Sequence, residues 1–123
     1  MGYVYVLSND SMPGVLKIGC TDRTPGERLV ELSAATGVPT PFTLEFATYF
    51  RNHAEVEARI HRDFSGSRVN DSREFFRVAR NTVVEYLEEV LLEDFLTQVE
   101  SLRDPVRERL LAKLEHKFMR WKR

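Results

Sequence analysis

A single cysteine, Cys20, stands among 123 residues. One thiol makes no intrachain bridge and no paired-thiol metal site, which excludes a disulfide scaffold and a zinc-finger-like fold. No run of about 18 apolar residues occurs, so no membrane-spanning helix is expected. The opening "MGYVYVLSNDSM" has no basic leader, and its apolar run is too short for a signal peptide. These absences predict a soluble, cytoplasmic protein. Six Gly and five Pro are too few for a disordered linker, and no repeat or low-complexity segment appears. An overall basic excess is missing too, since the net charge is −1. What is present is 42% hydrophobic and 30% charged, a composition suited to one domain with a real core.

The charge is unevenly placed. Residues 1–84 are balanced, 85–102 carry six acidic and no basic side chains, and 103–123 carry eight basic against three acidic. A basic end suggests contact with a polyanion, although a solvated helix face accounts for most charge clusters.

Periodicity divides the chain into elements. "GYVYVL" (2–7) alternates as a strand, "SNDSMPG" (8–14) is turn chemistry, and "VLKIGCT" (15–21) alternates again, which predicts a β-hairpin. Thr24, Pro25 and Glu27 supply an N-cap, an N1 proline and the third-position acid of a capping box, so a helix should run from Pro25 to about Thr36, stopped by Gly37. "FTLEFATYF" (42–50) is a third strand. Asn52 and Glu55 repeat the cap signature ahead of Val56, Ile60 and Phe64 at helical spacing. "REFFRV" (73–78) is a short extended piece, and the last third is two helices, Thr82–Ser101 and one capped by Asp104. The expected class is α+β: a small three-stranded antiparallel sheet flanked by helices over 1–80, then a helical hairpin over 81–123 packed on it or on a partner.

Alternation in the hairpin sends Val4, Val6, Leu16, Ile18 and Cys20 to one face and Tyr3, Tyr5, Lys17, Gly19 and Thr21 to the other. Cys20 thus reads as a packed core thiol. Gly19 leaves room for close approach. Arg28 sits near a helix start that already favours an anion. Glu74 stands before Phe75 and Phe76, where a carboxylate needs an arginine or a metal to stay ionised.

In that order, "GYVYVLSN", "PGVLKIGCT", "ERLVELSAATGVPTPF", "EVEARIHRDF" and "VNDSREFF" resemble the GIY-YIG nuclease superfamily, and within it the phage and bacterial branch (orf172-like) whose second motif reads K-I-G. The resemblance covers about residues 2–78. It implies a divalent-metal-dependent DNA endonuclease, with Mg²⁺ or Mn²⁺ as cofactor and DNA as partner. Tyr5 then matches the tyrosine that assists or deprotonates the attacking water. Lys17 stands where many members have a second tyrosine, to lower the pKa of Tyr5 or hold a phosphate. Arg28 matches the arginine on the scissile phosphate and Glu74 the metal ligand; His61 and Tyr3 are further possible site residues. Asn81, seven residues after Glu74, lies too close to match the asparagine that follows the metal glutamate in many members.

Each residue has a plainer reading. Tyr3 is an amphipathic sheet residue, Lys17 an edge-strand charge, Arg28 and Glu31 solvated helix residues. Glu74 pairs with Arg73 or Arg77, and His61 with Glu57. Thr21 and Asn70 are turn or strand-end residues.

The C-terminal third lies outside the resemblance. Val84, Leu87, Leu91, Phe95, Val99 and Leu102 form one helical stripe, and Val106, Leu110, Leu114, Phe118 and Trp121 another. Basic residues of the last helix (Arg107, Lys113, Lys117, Arg120, Lys122 and Arg123) suit a DNA backbone, and the stripes suit a homodimer. A non-catalytic DNA- or protein-binding module on the same fold is the alternative function.

Overall fold

The computed structural model describes the chain apart from residues 36, 38, 71–73, 103 and 123, with backbone alone at 118–122. Two compact units divide at residue 87. The first holds β1 (Gly2–Asn9), β2 (Leu16–Thr21), α1 (Pro25–Ser33), β3 (Phe42–Phe50), α2 (His53–Asp63), a 3₁₀ turn (Ser65–Ser67) and β4 (Phe75–Phe76). Helix α3 (Arg80–Glu100) starts in the first unit and ends in the second, and α4 (Asp104–Lys122) lies in the second. No helix among the described residues is long and apolar enough to cross a membrane.

The sheet is antiparallel with order β3-β1-β2-β4. It has four strands where the sequence predicts three. The fourth is two residues long, too short for alternation to reveal. It forms because Ile18 N donates to the Glu74 carbonyl at 3.0 Å and Val69 N to that of Phe75 at 2.9 Å.

The register bears out the predicted faces. Val6 lies opposite Ile18 and Leu16 opposite Phe76, whereas Tyr5 lies opposite Gly19 and Lys17 opposite Phe75. Helix α1 covers the second of these faces, packing Leu29 and Leu32 against Tyr5, Leu7 and Phe42. Helix α2 buries Val56 and Ile60 and brings His61 to within 5.1 Å of the Phe76 ring, on the first face. Full burial stabilises each such Val, Ile or Phe side chain by roughly 1.5–3 kcal/mol relative to exposure.

Local signals hold at α1 and fail at α2. Thr24 accepts from Glu27 N at 3.3 Å, and Pro25 opens the helix. The helix stops at Ser33, whose hydroxyl accepts from Phe42 N at 3.0 Å, ahead of the predicted Thr36, which lies outside the described residues. Gly37 adopts φ +87, where a Cβ is strained. Asn52 makes no side-chain cap bond; its amide donates instead to Glu55 at 3.3 Å. On α3 the buried residues are Val83, Leu87, Val90 and Val99, while Phe95 and Leu102 of the predicted stripe are exposed, as is Val106 of the second. Phe118 and Trp121 side chains lie outside the described residues.

Candidate functional site

The hairpin, the first turn of α1 and the residue before β4 bring Tyr5, Gly19, Arg28, Lys17 and Glu74 together. Tyr5 is 2% exposed, in the middle of β1. A methyl carbon built on Gly19 would lie 2.5 Å from Tyr5 Oη, 2.6 Å from its Cζ and 3.1 Å from Glu74 Oε2. The phenol and the carboxylate therefore converge over one residue that has no side chain.

Lys17 Nζ donates to Glu74 Oε2 at 3.1 Å and stands 5.1 Å from the centre of the Phe75 ring. The lysine is 11% exposed and the glutamate 40%. The pairing with Lys17 answers the need of a carboxylate among aromatic rings for a compensating cation. It stands where the plainer reading put Arg77 or Arg73, the latter of which lies outside the described residues.

Arg28 stands near the Tyr5 hydroxyl, and its Nη1 donates to Glu31 Oε2 at 3.1 Å. Burial pushes the Tyr5 phenol above its ordinary range, and the Arg28 guanidinium opposes that rise. The cation acting on Tyr5 is thus Arg28, whereas Lys17 is engaged with Glu74. Glu31 also holds Arg23, and the two arginines keep its carboxyl below the usual range. Arg23 had no motif to mark it. The detectable sign was the pair of opposite charges at 28 and 31, one helical turn apart.

Cys20 packs beside Glu57 of α2; burial first and that carboxyl second push its thiol up to about 12. The same Glu57 also raises Tyr5. His61 uses both ring nitrogens: Nε2 donates to the Ile18 carbonyl at 2.8 Å, and Nδ1 accepts from Arg68 at 3.3 Å. These bonds, to Ile18 and Arg68 and not to Glu57, orient the ring. Tyr3 meets Tyr49 edge-on at 5.5 Å. The Thr21 hydroxyl accepts from Arg23 N at 3.1 Å as a turn residue does, and Asn70 lines a cleft beside Phe75. Lys113 and Lys117 are exposed on α4; the Arg120, Lys122 and Arg123 side chains lie outside the described residues.

Among the described residues no three His, Cys, Asp or Glu side chains cluster as a metal cage. The donor set that remains is one half-exposed carboxylate, Glu74. That suits Mg²⁺, which keeps several waters and completes its shell with substrate phosphate, better than a metal held by protein alone.

No curated protein and no solved structure matches this chain. The model of the T5orf172 domain does match it, over residues 2–91, a span that includes every residue gathered around Gly19. On that match the chain belongs to the T5orf172 domain family.

Proposed function

We propose that this chain is a divalent-metal-dependent DNA endonuclease of the GIY-YIG type. Convergence of Tyr5 Oη and Glu74 Oε2 over Gly19 is the observation that carries the reading. Hydrolysing a phosphodiester needs an activated water, positive charge on the developing phosphate oxygens, and help for the leaving alkoxide. Tyr5 serves the water. Its phenol is protonated at rest, because burial raises it, and Arg28 stabilises the phenolate that forms when the proton leaves. Arg28, with Arg23 beside it through Glu31, supplies charge to the phosphate. Glu74 would hold Mg²⁺ or Mn²⁺, which when bound supplies Lewis-acid stabilisation of the phosphate oxygens. Lys17 pairs with Glu74 and holds the carboxylate in place. The exposed Lys113 and Lys117 of α4 add a sequence-independent grip on the DNA backbone.

The test is incubation of wild type and Glu74→Gln with supercoiled and branched DNA, with Mg²⁺, Mn²⁺ or chelator. Nicking by wild type alone, and only with metal, is the expected result. Metal-dependent nicking that survives Glu74→Gln refutes the assignment of the ligand. DNA binding with no cleavage under any condition leaves the non-catalytic module in its place.

A further inference from the structure

A cleft of about 550 Å³ opens beside Phe75. The β1–β2 loop builds one wall: Met12 N donates to Asn9 at 2.9 Å, Val15 N to Met12 at 3.2 Å, and Gly14 turns the chain at φ +76. The Asn9 amide donates to the Thr40 carbonyl at 2.8 Å, which fixes the root of that loop. Val69, Asn70, Phe75 and Arg77 build the other wall. There Val69 N donates to Phe75 and Arg77 N to the Ser67 carbonyl at 2.7 Å.

Its lining is mixed in a telling way. Met12, Val15, Val69 and Phe75 give apolar surface, and Val69 is left 47% exposed. Arg77, an exposed cation, stands at the same cleft. An apolar, aromatic-edged space with a cation beside it fits a flat heteroaromatic ring joined to a phosphate. It suits neither a free phosphate nor an aliphatic chain as well. Phe75 also borders Lys17 and stacks on Phe42 at 6.4 Å, so the same ring touches the cleft, the core and the Lys17–Glu74 pair.

We propose that this cleft takes one unpaired nucleotide of the DNA, its base against Met12, Val15, Val69 and Phe75 and its phosphate toward Arg77. The inference rests on the endonuclease reading and adds the substrate class: DNA with a bulge, flap or other unstacked nucleotide beside the cleaved bond. A base inside an intact duplex must first be unstacked and unpaired, at a cost of a few kcal/mol that an already unpaired base does not incur.

The experiment measures affinity of the full chain by fluorescence anisotropy, in chelator so that no strand is cut. The DNAs are a duplex carrying a one-nucleotide bulge and the same duplex fully paired. Wild type should bind the bulged DNA about 10-fold more tightly, in keeping with base–aromatic stacking energies. Val69→Glu and Arg77→Gln, both exposed positions whose folding is checked by thermal melting, should bring that ratio close to one. Equal affinity of wild type for both DNAs, or a preference that survives both variants, overturns the proposal. Equal binding accompanied by metal-dependent nicking overturns this inference alone, whereas no binding to either DNA together with no metal-dependent nicking of either overturns the endonuclease reading with it.

Discussion

Replacing Gly19 by alanine adds one methyl group where the Tyr5 and Glu74 side chains meet. Among the described residues, positive φ occurs only at Gly14 and Gly37, so alanine at 19 meets no backbone strain. The whole effect is side-chain overlap. Tyr5 Oη would have to retreat from 2.5 Å to the 3.4 Å of ordinary contact. Tyr5 is 2% exposed in a cluster packed by Leu29, Leu32 and Ala47, so it retreats only by displacing its neighbours. Overpacking of this kind costs about 1–3 kcal/mol, a fall in Tm of about 5–10 °C for a domain this size. A displacement of about 1 Å at a catalytic group costs about 100-fold in rate. Thermal melting by circular dichroism and initial rates of plasmid nicking in Mg²⁺ read the two effects separately. Adding Tyr5→Phe should not restore the melt, because Cζ, at 2.6 Å, still overlaps the new methyl. A Gly19→Ala protein that melts and nicks as wild type does would refute the convergence on which the site is built.

The raised Tyr5 phenol gives a sign for pH dependence. The phenolate is the basic form, and its share grows about tenfold per pH unit below the pKa, which lies above 10. Nicking rate should therefore climb from pH 7 to 9 without a plateau, and Tyr5→Phe should lose about 10²–10⁴-fold; a flat profile rules Tyr5 out as the base. For Cys20, a rise from 9.0 to about 12 leaves about a thousandfold less thiolate at pH 8. Iodoacetamide should accordingly modify the native chain, where Cys20 is half-buried and not a core residue, at least about 100-fold more slowly than the urea-unfolded one, and equal rates would contradict the raised thiol.

Local signals were legible; distant partners were not. Alternation in "GYVYVL" and "VLKIGCT" placed Tyr5, Lys17 and Gly19 on one face because the period of a strand is a property of the strand itself. Thr24 and Pro25 marked the start of α1 for the same reason. The fourth strand was hidden because its pairing depends on Glu74 and Phe75 reaching Ile18 and Val69, and two residues have no period. Lys17 and Glu74 are 57 positions apart, a separation at which no spacing rule applies. Asn52 and Glu55 had the right spacing for a capping box, yet their side chains bonded to each other. On α3 the stripe was misjudged because its polar and apolar residues are almost evenly spread around the helix, so one face is scarcely better than the next. The tyrosine at 5 was expected on a displayed surface. Leu29 and Leu32 of α1 bury it, which is why its acidity falls and its position is fixed.

Which cation meets the phosphate follows from how firmly each is held. In the free protein Lys17 is committed to Glu74, and Arg23 and Arg28 share Glu31. Exposed ion pairs are worth about 0–1 kcal/mol, so a phosphate dianion or diester exchanges readily for Glu31, which is exposed, as Arg23 is, while Arg28 is part-exposed. Lys17 is different, because only 11% of its side chain meets solvent. Moving it away from Glu74 would strand a cation in a largely dry setting and leave the carboxylate beside Phe75 without its partner. On the proposed reading the labour therefore divides: Arg28 and Arg23 trade a carboxylate for the phosphate, while Lys17 stays paired with Glu74 and positions it. The lysine set between Leu16 and Ile18 faces a glutamate first, and the substrate through it.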